Sequence, residues 1–272
     1  MMASPQPERL RFDPATPNTS RMADYYLGGK DNFAADREVA QIALSLAPEL
    51  PAMAREGRAF LGRVVRFLAG AGIRQFVDIG CGLPMPGGTH QVLRDLVPDA
   101  RVVYVDNDPM VVVHTQAVLK EGDAATVVEA DLRDPEGLLA HPGLTGTIDL
   151  DRPVAFLLLS VLSHLPDDLE AAQVVAALQK AMTPGSHLAV SHAVSDLRPE
   201  TTARLAALYQ ERGSITGPYR ANLRTRAEVE CFFDGLRLVE PGLVYIPEWR
   251  PDRAALHSTE SIWTVGGVGV KE

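Results

Sequence analysis

An apolar run that stops at two closely spaced glycines is the first feature of this sequence with chemical promise. Phe76-Val77-Asp78-Ile79 leads directly into Gly80-Cys81-Gly82-Leu83-Pro84. Glycine carries no Cβ, so a ligand can come close to the main chain at such a turn. The same residues also make an ordinary strand-end turn. Three further groups change the balance. Asp106 closes the next β-rich run, Arg101-Val102-Val103-Tyr104-Val105, where a carboxylate is placed to accept hydrogen bonds from ribose hydroxyls. Asp131 follows the third run, in Glu129-Ala130-Asp131-Leu132, and the fourth ends in Ser160-Val161-Leu162-Ser163-His164. Asp131 and Asp134 are each suited to cap a following helix instead. Polar groups recurring at successive run ends point to one edge that binds a nucleoside-bearing ligand.

Those runs set the elements that must hold the edge together. Residues 76–79, 101–105, 126–129, 154–159 and 187–193 read as strands, nearly continuous in apolar residues, as expected when both faces of a parallel sheet are covered. Helical patterns at 88–96, 109–120, 134–140 and 167–182 lie between them. This alternation predicts a doubly wound α/β sheet. Right-handed crossovers then bring every strand's C-terminal end to one edge. Ahead of the sheet, a short helix at 20–27 is capped by Thr19 or Ser20 and ended by Gly28-Gly29. Helices at 36–46 and 53–71 follow, broken apart by Pro48 and Pro51. Beyond residue 194 a polar stretch carries Leu205, Leu208 and Tyr209 on a helix, and Thr225 with Glu228 forms a capping box. Two last strands are expected at 236–239, extending toward 246, and at 261–268, with a bulge or bend at Pro241-Gly242. The division expected is a flexible leader at 1–17, a helical cap or lid at 18–72, and a Rossmann-like domain at 73–272 with an insertion at about 195–224.

Composition narrows the partners. The 272 residues carry a formal charge of −9, which repels nucleic-acid phosphate, so no nucleic-acid partner is expected. Two distant cysteines, Cys81 and Cys231, make neither a metal cluster nor a disulfide framework. No apolar run approaches a membrane span, and the opening residues lack the pattern of a secretory signal. A cytoplasmic enzyme without a metal is the expectation.

Asp78-Ile79-Gly80-Cys81-Gly82, Asp106 and Asp131 together resemble the pattern of class I S-adenosylmethionine-dependent methyltransferases. A closer resemblance covers nearly the whole chain. Ser20-Arg21-Met22-Ala23-Asp24-Tyr25-Tyr26-Leu27-Gly28-Gly29-Lys30-Asp31-Asn32-Phe33, Tyr104-Val105-Asp106-Asn107-Asp108-Pro109 and Phe232-Phe233-Asp234-Gly235-Leu236 are similar to the signatures of an actinobacterial S-adenosyl methyltransferase family, formerly a domain of unknown function. The resemblance implies a seven-stranded, mostly parallel sheet ending in an antiparallel hairpin, with S-adenosylmethionine as cofactor and S-adenosylhomocysteine as product. It makes Asp78 part of the cofactor-binding glycine-loop motif and places Gly80, Cys81, Gly82 and Leu83 along the aminoacid and ribose portion. Asp106 goes to the ribose, Asn107 and Met110 beside the adenosine, and Asp131 near the adenine amino group. Leu132 and Ser160 complete the expected cofactor set.

Methyl transfer from a sulfonium is an in-line displacement with a neutral leaving group, so alignment is the main demand. His164 is the candidate base if the acceptor needs one; a helix-start histidine without a chemical role is the alternative. His90 either touches the cofactor or makes a structural hydrogen bond, and His192 reads as a core residue. Arg21, Tyr25, Tyr26, Lys30, Asn32 and Phe33 are too polar and aromatic for a linker and are expected to fold over the edge as a lid, with Arg21 and Lys30 able to hold a carboxylate. Tyr219, Arg220 and Arg224 form a second candidate wall for an acidic acceptor, against the alternative of a solvated face, and Trp249 and Arg250 share that ambiguity. The expected acceptor is a small molecule. Two alternatives stand beside this: a protein that binds S-adenosylmethionine or its product without turnover, and a nicotinamide-dependent oxidoreductase. The second is disfavoured by Leu83-Pro84-Met85-Pro86-Gly87-Gly88, where two prolines delay the helix that a GxGxxG fingerprint would open.

Overall fold

The structure is a computed structural model that describes residues 13–119, 124–215, 223–252 and 261–272. The chain opens with three helices, α1 (Thr19–Tyr26), α2 (Ala34–Leu46) and α3 (Leu50–Gly70). Their ends differ from expectation for local reasons. Asn18 caps α1, not Thr19 or Ser20: its side chain accepts from the backbone N–H groups of Ser20 and Arg21. The α2 helix begins two residues before Asp36, whose carboxylate reaches back to the N–H of Phe33 at 2.8 Å. Pro51 does not separate the helices; it lies in the first turn of α3, where a missing N–H costs no bond.

The alternating region forms as predicted. It contains β1 (Gln75–Ile79), α4 (Thr89–Arg94), β2 (Arg101–Asp106), α5 (Pro109–Val118), β3 (Ala125–Glu129), α6 (Pro135–Leu139), α7 (Pro142–Thr145), β4 (Ala155–Leu159), α8 (Asp168–Ala181) and β5 (His187–Ala193). The four-residue α7 was not legible in advance. The five strands pair in parallel in the order β3-β2-β1-β4-β5, so the winding direction reverses between β1 and β4. Open α/β sheets bind ligands at such a reversal. The remaining elements are α9 (Pro199–Glu211), α10 (Arg226–Glu230), β6 (Arg237–Leu238), β7 (Val244–Tyr245) and β8 (Thr264–Val270). The capping box of Thr225 and Glu228 is present. The antiparallel end of the sheet is an interrupted one. β8 lies against β5, and β6 and β7 both pair with β8 on either side of Pro241-Gly242. Gly242 has a φ of +88°, a conformation that glycine adopts without steric cost.

Side chains alternate between two cores. Val77, Phe156 and Leu158 point to the face covered by α6, α7, α8 and α10, while Phe76, Ala155 and Leu157 point to the face covered by α3 and α4. On that second face α3 sits very close to β8. A Cβ on Gly266 would come within 2.5 Å of the Phe60 ring. A third cluster joins the opening helices to α9 through Met22, Val39, Ala40, Ala43, Leu205, Leu208 and Trp263.

Charge as well as apolar contact fastens the opening helices to the sheet. Arg21 in α1 is buried, and its Nε donates to Asp36 in α2 at 2.9 Å. Its Nη1 reaches Asp108, the cap of α5, at 3.3 Å. Asp36 also accepts from the N–H of Asn18 at 2.8 Å. Arg21→Met keeps the length of the side chain and leaves two buried carboxylates without their cation. Breaking a buried pair in this way costs about 3–5 kcal/mol. Urea unfolding is expected to show a loss of that size, and a loss below about 1 kcal/mol would count against the bridge as the anchor of the opening helices.

Candidate active site

The C-terminal edge of the parallel strands is hollow. A cavity of about 670 Å³ opens there, within the range of sites that enclose a whole small ligand. Its floor is the loop after β1, the ends of β2 and β3, and the turn after β4. Its roof is α1, the first half of α3, and residues 213–215 beyond α9.

Asp106 organises the floor. Its carboxylate accepts from the N–H of Gly82 at 3.0 Å and from that of Asp108 at 3.0 Å, so it ties the glycine loop to the end of β2. Burial pushes its pKa up to about 6, against the opposing effect of these backbone hydrogen bonds. The two glycines serve different ends. Gly80, at φ +68°, is packed against Val161: a Cβ there would lie 2.3 Å from Val161 Cγ2. The close neighbour of Gly80 is thus the chain itself, where ligand approach was the expected reason for glycine. Gly82, at φ +65°, lies beneath Ser20 of the roof. Cys81 is half-buried between them, and burial, with Asp106 and Asp78 nearby, pushes its thiol pKa up. Leu83 lines the cavity beside it.

Asp78 is buried and accepts from Thr89 Oγ1 at 2.7 Å; burial raises its pKa, offset in part by Thr89 and the charge of Arg58. Asp131 is less free than the sequence suggests. Burial raises its pKa, but hydrogen bonds from Arg133, at 3.0 Å from Nε and 2.6 Å from Nη2, more than reverse that. Asn107 Nδ2 approaches the same carboxylate at 3.4 Å. Leu132 and Ser160 line the cavity, and Ser160 holds a φ of +62°. Met110 does not line it; the neighbouring Pro109 does. Asp134 caps α6 through the N–H of Gly137.

His164 lies on a single 3₁₀ turn, Leu162–His164, just after β4. Its Nε2 is 3.2 Å from the Thr19 hydroxyl, so floor meets roof at this pair. Burial lowers its pKa to about 4, which leaves the ring neutral at pH 7. Arg224 fixes the turn from behind. It is buried and donates to the carbonyls of Leu162 at 2.9 Å and Leu165 at 2.7 Å and to Asp168 at 3.0 Å. It is therefore a structural clamp, where the sequence offered it to an acidic acceptor. His192 bonds the Ala193 carbonyl through Nδ1 and faces Arg224 through Nε2, a satisfied core residue. His90 makes the structural bond of its two options, to the Tyr104 hydroxyl at 2.7 Å. Trp249 is buried against Phe60 and Phe67, and Arg250 stacks over Phe67, away from the cavity.

The opening segment contributes unevenly. Arg21 and Tyr26 line the cavity, whereas Tyr25, Lys30, Asn32 and Phe33 do not. Arg21 holds carboxylates, but they are those of Asp36 and Asp108. Lys30 is exposed, Asn32 donates to Asp24 at 2.8 Å, and the Phe33 ring lies under Arg21. Tyr219 and Arg220 lie outside the described residues. Sequence reasoning missed Thr19, Asp24, Met53 and Arg58, all in the cavity wall. Among the described residues no helix is long and apolar enough to cross a membrane.

A family described as S-adenosyl methyltransferase matches residues 5–272. The fold is similar to that of a DUF574 family protein from Streptomyces avermitilis, with 38% identity over 96% of this chain and 100% of the other, at a TM-score of 0.90. It is also similar to a candidate methyltransferase from Thermobifida fusca, with 42% identity over 95% and 96% of the two chains and a TM-score of 0.87. An O-methyltransferase family protein from Burkholderia thailandensis, 16% identical over 77% of this chain and 55% of its own, shares the fold at a TM-score of 0.51. No protein of curated function matches. The chain belongs to the S-adenosyl methyltransferase family, whose cofactor is S-adenosylmethionine.

Proposed function

We propose that the chain moves the methyl group of S-adenosylmethionine to a small-molecule acceptor inside this cavity. The observation that carries the proposal is the extent of the cavity. It runs from the acidic ends of β2 and β3, suited to a nucleoside, to the His164–Thr19 pair beneath the roof. Asp106 is assigned to the ribose hydroxyls, Asp131 and Asn107 to the adenine end, and Asp78 with residues 80–83 to the aminoacid end. Asp24, Asp78, Asp106, Asp108 and Asp131 outnumber the cations among the described lining residues. Such an acidic wall suits a sulfonium cation. Polar groups that converge beneath the roof, His164 and Thr19, favour turnover over a binding-only protein, and the proline-rich loop that delays α4 disfavours a nicotinamide cofactor.

The acceptor is neutral or cationic. Arg21 and Arg133, two of the three arginines among the described lining residues, already hold the chain's own carboxylates, and the third, Arg58, lies near enough to Asp78 to favour its ionised form. His164 at a pKa of about 4 is too weak a base to draw a proton from a hydroxyl near pH 7. Its role is to accept a hydrogen bond and orient the nucleophile, with Thr19 holding the ring. A neutral amine, whose lone pair needs no prior deprotonation, fits this site best. The two unpaired cysteines suit the reducing cytoplasm we assign as its location.

Two outcomes are expected. If ribose hydroxyls donate to ionised Asp106, S-adenosylhomocysteine affinity holds steady above about pH 6 and falls by up to tenfold per pH unit below it, because protonation must be reversed before binding. Calorimetry on Asp106→Asn should show roughly 10- to 100-fold weaker binding without that limb. Wild-type affinity that is flat from pH 7 to pH 5 would remove Asp106 from the assignment. For His164 the folded pKa lies below the unfolded value of 6.5, so its contribution to stability is intact above pH 6.5 and is lost as pH falls toward 4. His164→Gln should flatten the fall in melting temperature across that window, and an unchanged pH profile would show that the ring is not buried as neutral imidazole.

A further inference from the structure

The cavity continues past the strands assigned to the cofactor. Asp106 and Asp131 stand at the ends of β2 and β3, whereas Ala193 and Thr264, paired across β5 and β8, line its other end. β5 lies three strands from β2, about 14 Å at the usual strand spacing. Over β5 and β8 the roof is the end of α1, the start of α3 and the turn after α9, which supply an apolar wall of Leu27, Leu50, Met53 and Ile215. The three arginines among the described lining residues stand elsewhere, Arg21 at Asp108, Arg58 beside Met85 and Arg133 at Asp131. Asp24, the one carboxylate of α1, accepts from the N–H of Asp31 at 2.9 Å and from Asn32 Nδ2 at 2.8 Å.

Hydroxyls interrupt this apolar wall. Tyr26 ends α1 and lines the cavity, and its hydroxyl is 3.4 Å from that of Tyr209 in α9. Neither phenol has another hydrogen-bond partner among the described residues. Two phenols carry two protons, and a single O–H···O contact uses one. Burial raises the pKa of both, so both stay protonated near pH 7. The Ser214 hydroxyl is enclosed and has no partner among the described residues. Its N–H donates to the Tyr209 carbonyl at 2.8 Å, which sets this turn beside the phenol pair. A carboxylate would lose its hydration in such a chamber without meeting a cation, whereas a carbonyl oxygen would meet O–H donors.

Resting on the methyl-transfer reading above, we infer that this chamber holds the body of the acceptor, an uncharged apolar amine with a carbonyl oxygen at the end remote from its nitrogen, and that Tyr26 donates to that oxygen. Tyr209 in turn donates to Tyr26. Thr19 opens α1 and Tyr26 ends it, seven residues and about 10 Å apart along one side of the helix. One helix therefore meets both ends of the acceptor, the nucleophile beside the His164–Thr19 pair and the oxygen at Tyr26. This makes Tyr26 a specificity-determining residue, which selects ketones or amides over carboxylates.

The test is binding of three arylamines to the S-adenosylhomocysteine complex, followed by saturation-transfer NMR titration, for wild type, Tyr26→Phe and Tyr209→Phe, with melting curves to check folding. The probes share a neutral amine. They are 4-aminoacetophenone, which carries the ketone, 4-ethylaniline, which has a methylene in its place, and 4-aminobenzoate, which carries a carboxylate. Wild type should bind the ketone more tightly than the other two. Tyr26→Phe should weaken the ketone about 3- to 10-fold and leave 4-ethylaniline within about twofold of wild type. Tyr209→Phe keeps the Tyr26 donor and should weaken the ketone by less. Should Tyr26→Phe melt early, the wild-type order of the three probes decides. A carboxylate bound as tightly as the ketone, ketone binding untouched by Tyr26→Phe, both uncharged probes weakened alike, or no probe bound by the complex would overturn the inference while the cofactor reading stands. Wild type that fails to bind S-adenosylhomocysteine would overturn the methyl-transfer reading and this inference with it.

Discussion

The arrangement depends on a buried chain of charge, Asp36–Arg21–Asp108, that crosses three helices. Apolar contact is non-directional and alone would fix α1 on α2 and α3 less sharply. A cation held between two carboxylates does not slide, because each misplacement leaves a charge without its counter-ion in a poorly solvated place. Asp108 caps α5, and its N–H bonds Asp106, which in turn holds Gly82. The chain of contacts therefore runs from the roof, through the end of β2, into the glycine loop. Position in the roof and geometry in the floor are set by the same few hydrogen bonds.

The chemistry proposed for the cavity needs few moving parts. Main-chain N–H groups hold Asp106 against its tendency to take up a proton, and Arg224 holds the turn that presents His164. Methyl transfer asks mainly for alignment. A rigid floor and a pinned roof supply alignment more directly than strong acids or bases would, and the weakly basic His164 is consistent with that division of labour.

Much of this was legible in the residues. The five parallel strands were readable because each is apolar at nearly every position, and the ligand edge because polar residues recur where those runs stop. The carboxylate at Asp106 was found for the same reason. What escaped notice was the partner of each long charged side chain. Arg21, Arg58 and Arg224 look alike in sequence, yet one bridges two helices, one clamps a turn from behind and one lines the cavity, bonded to no carboxylate among the described residues. Their neighbours come from segments far along the chain, and helical periodicity gives a face without saying what lies at the tip. Gly80 misled in a similar way: its glycine is required by Val161, a contact made only once β1 and β4 pair. Asn18 took the cap expected of Thr19 or Ser20, which frees the Thr19 hydroxyl to meet His164.

A crystal structure of the protein with S-adenosylhomocysteine tests the central claim most directly. The account predicts the ligand in the large cavity, its ribose oxygens within hydrogen-bond distance of Asp106, its adenine toward Asp131, and its sulfur turned toward the His164–Thr19 pair. A ligand bound elsewhere, or in the reverse orientation with its adenine at Asp78, would contradict it.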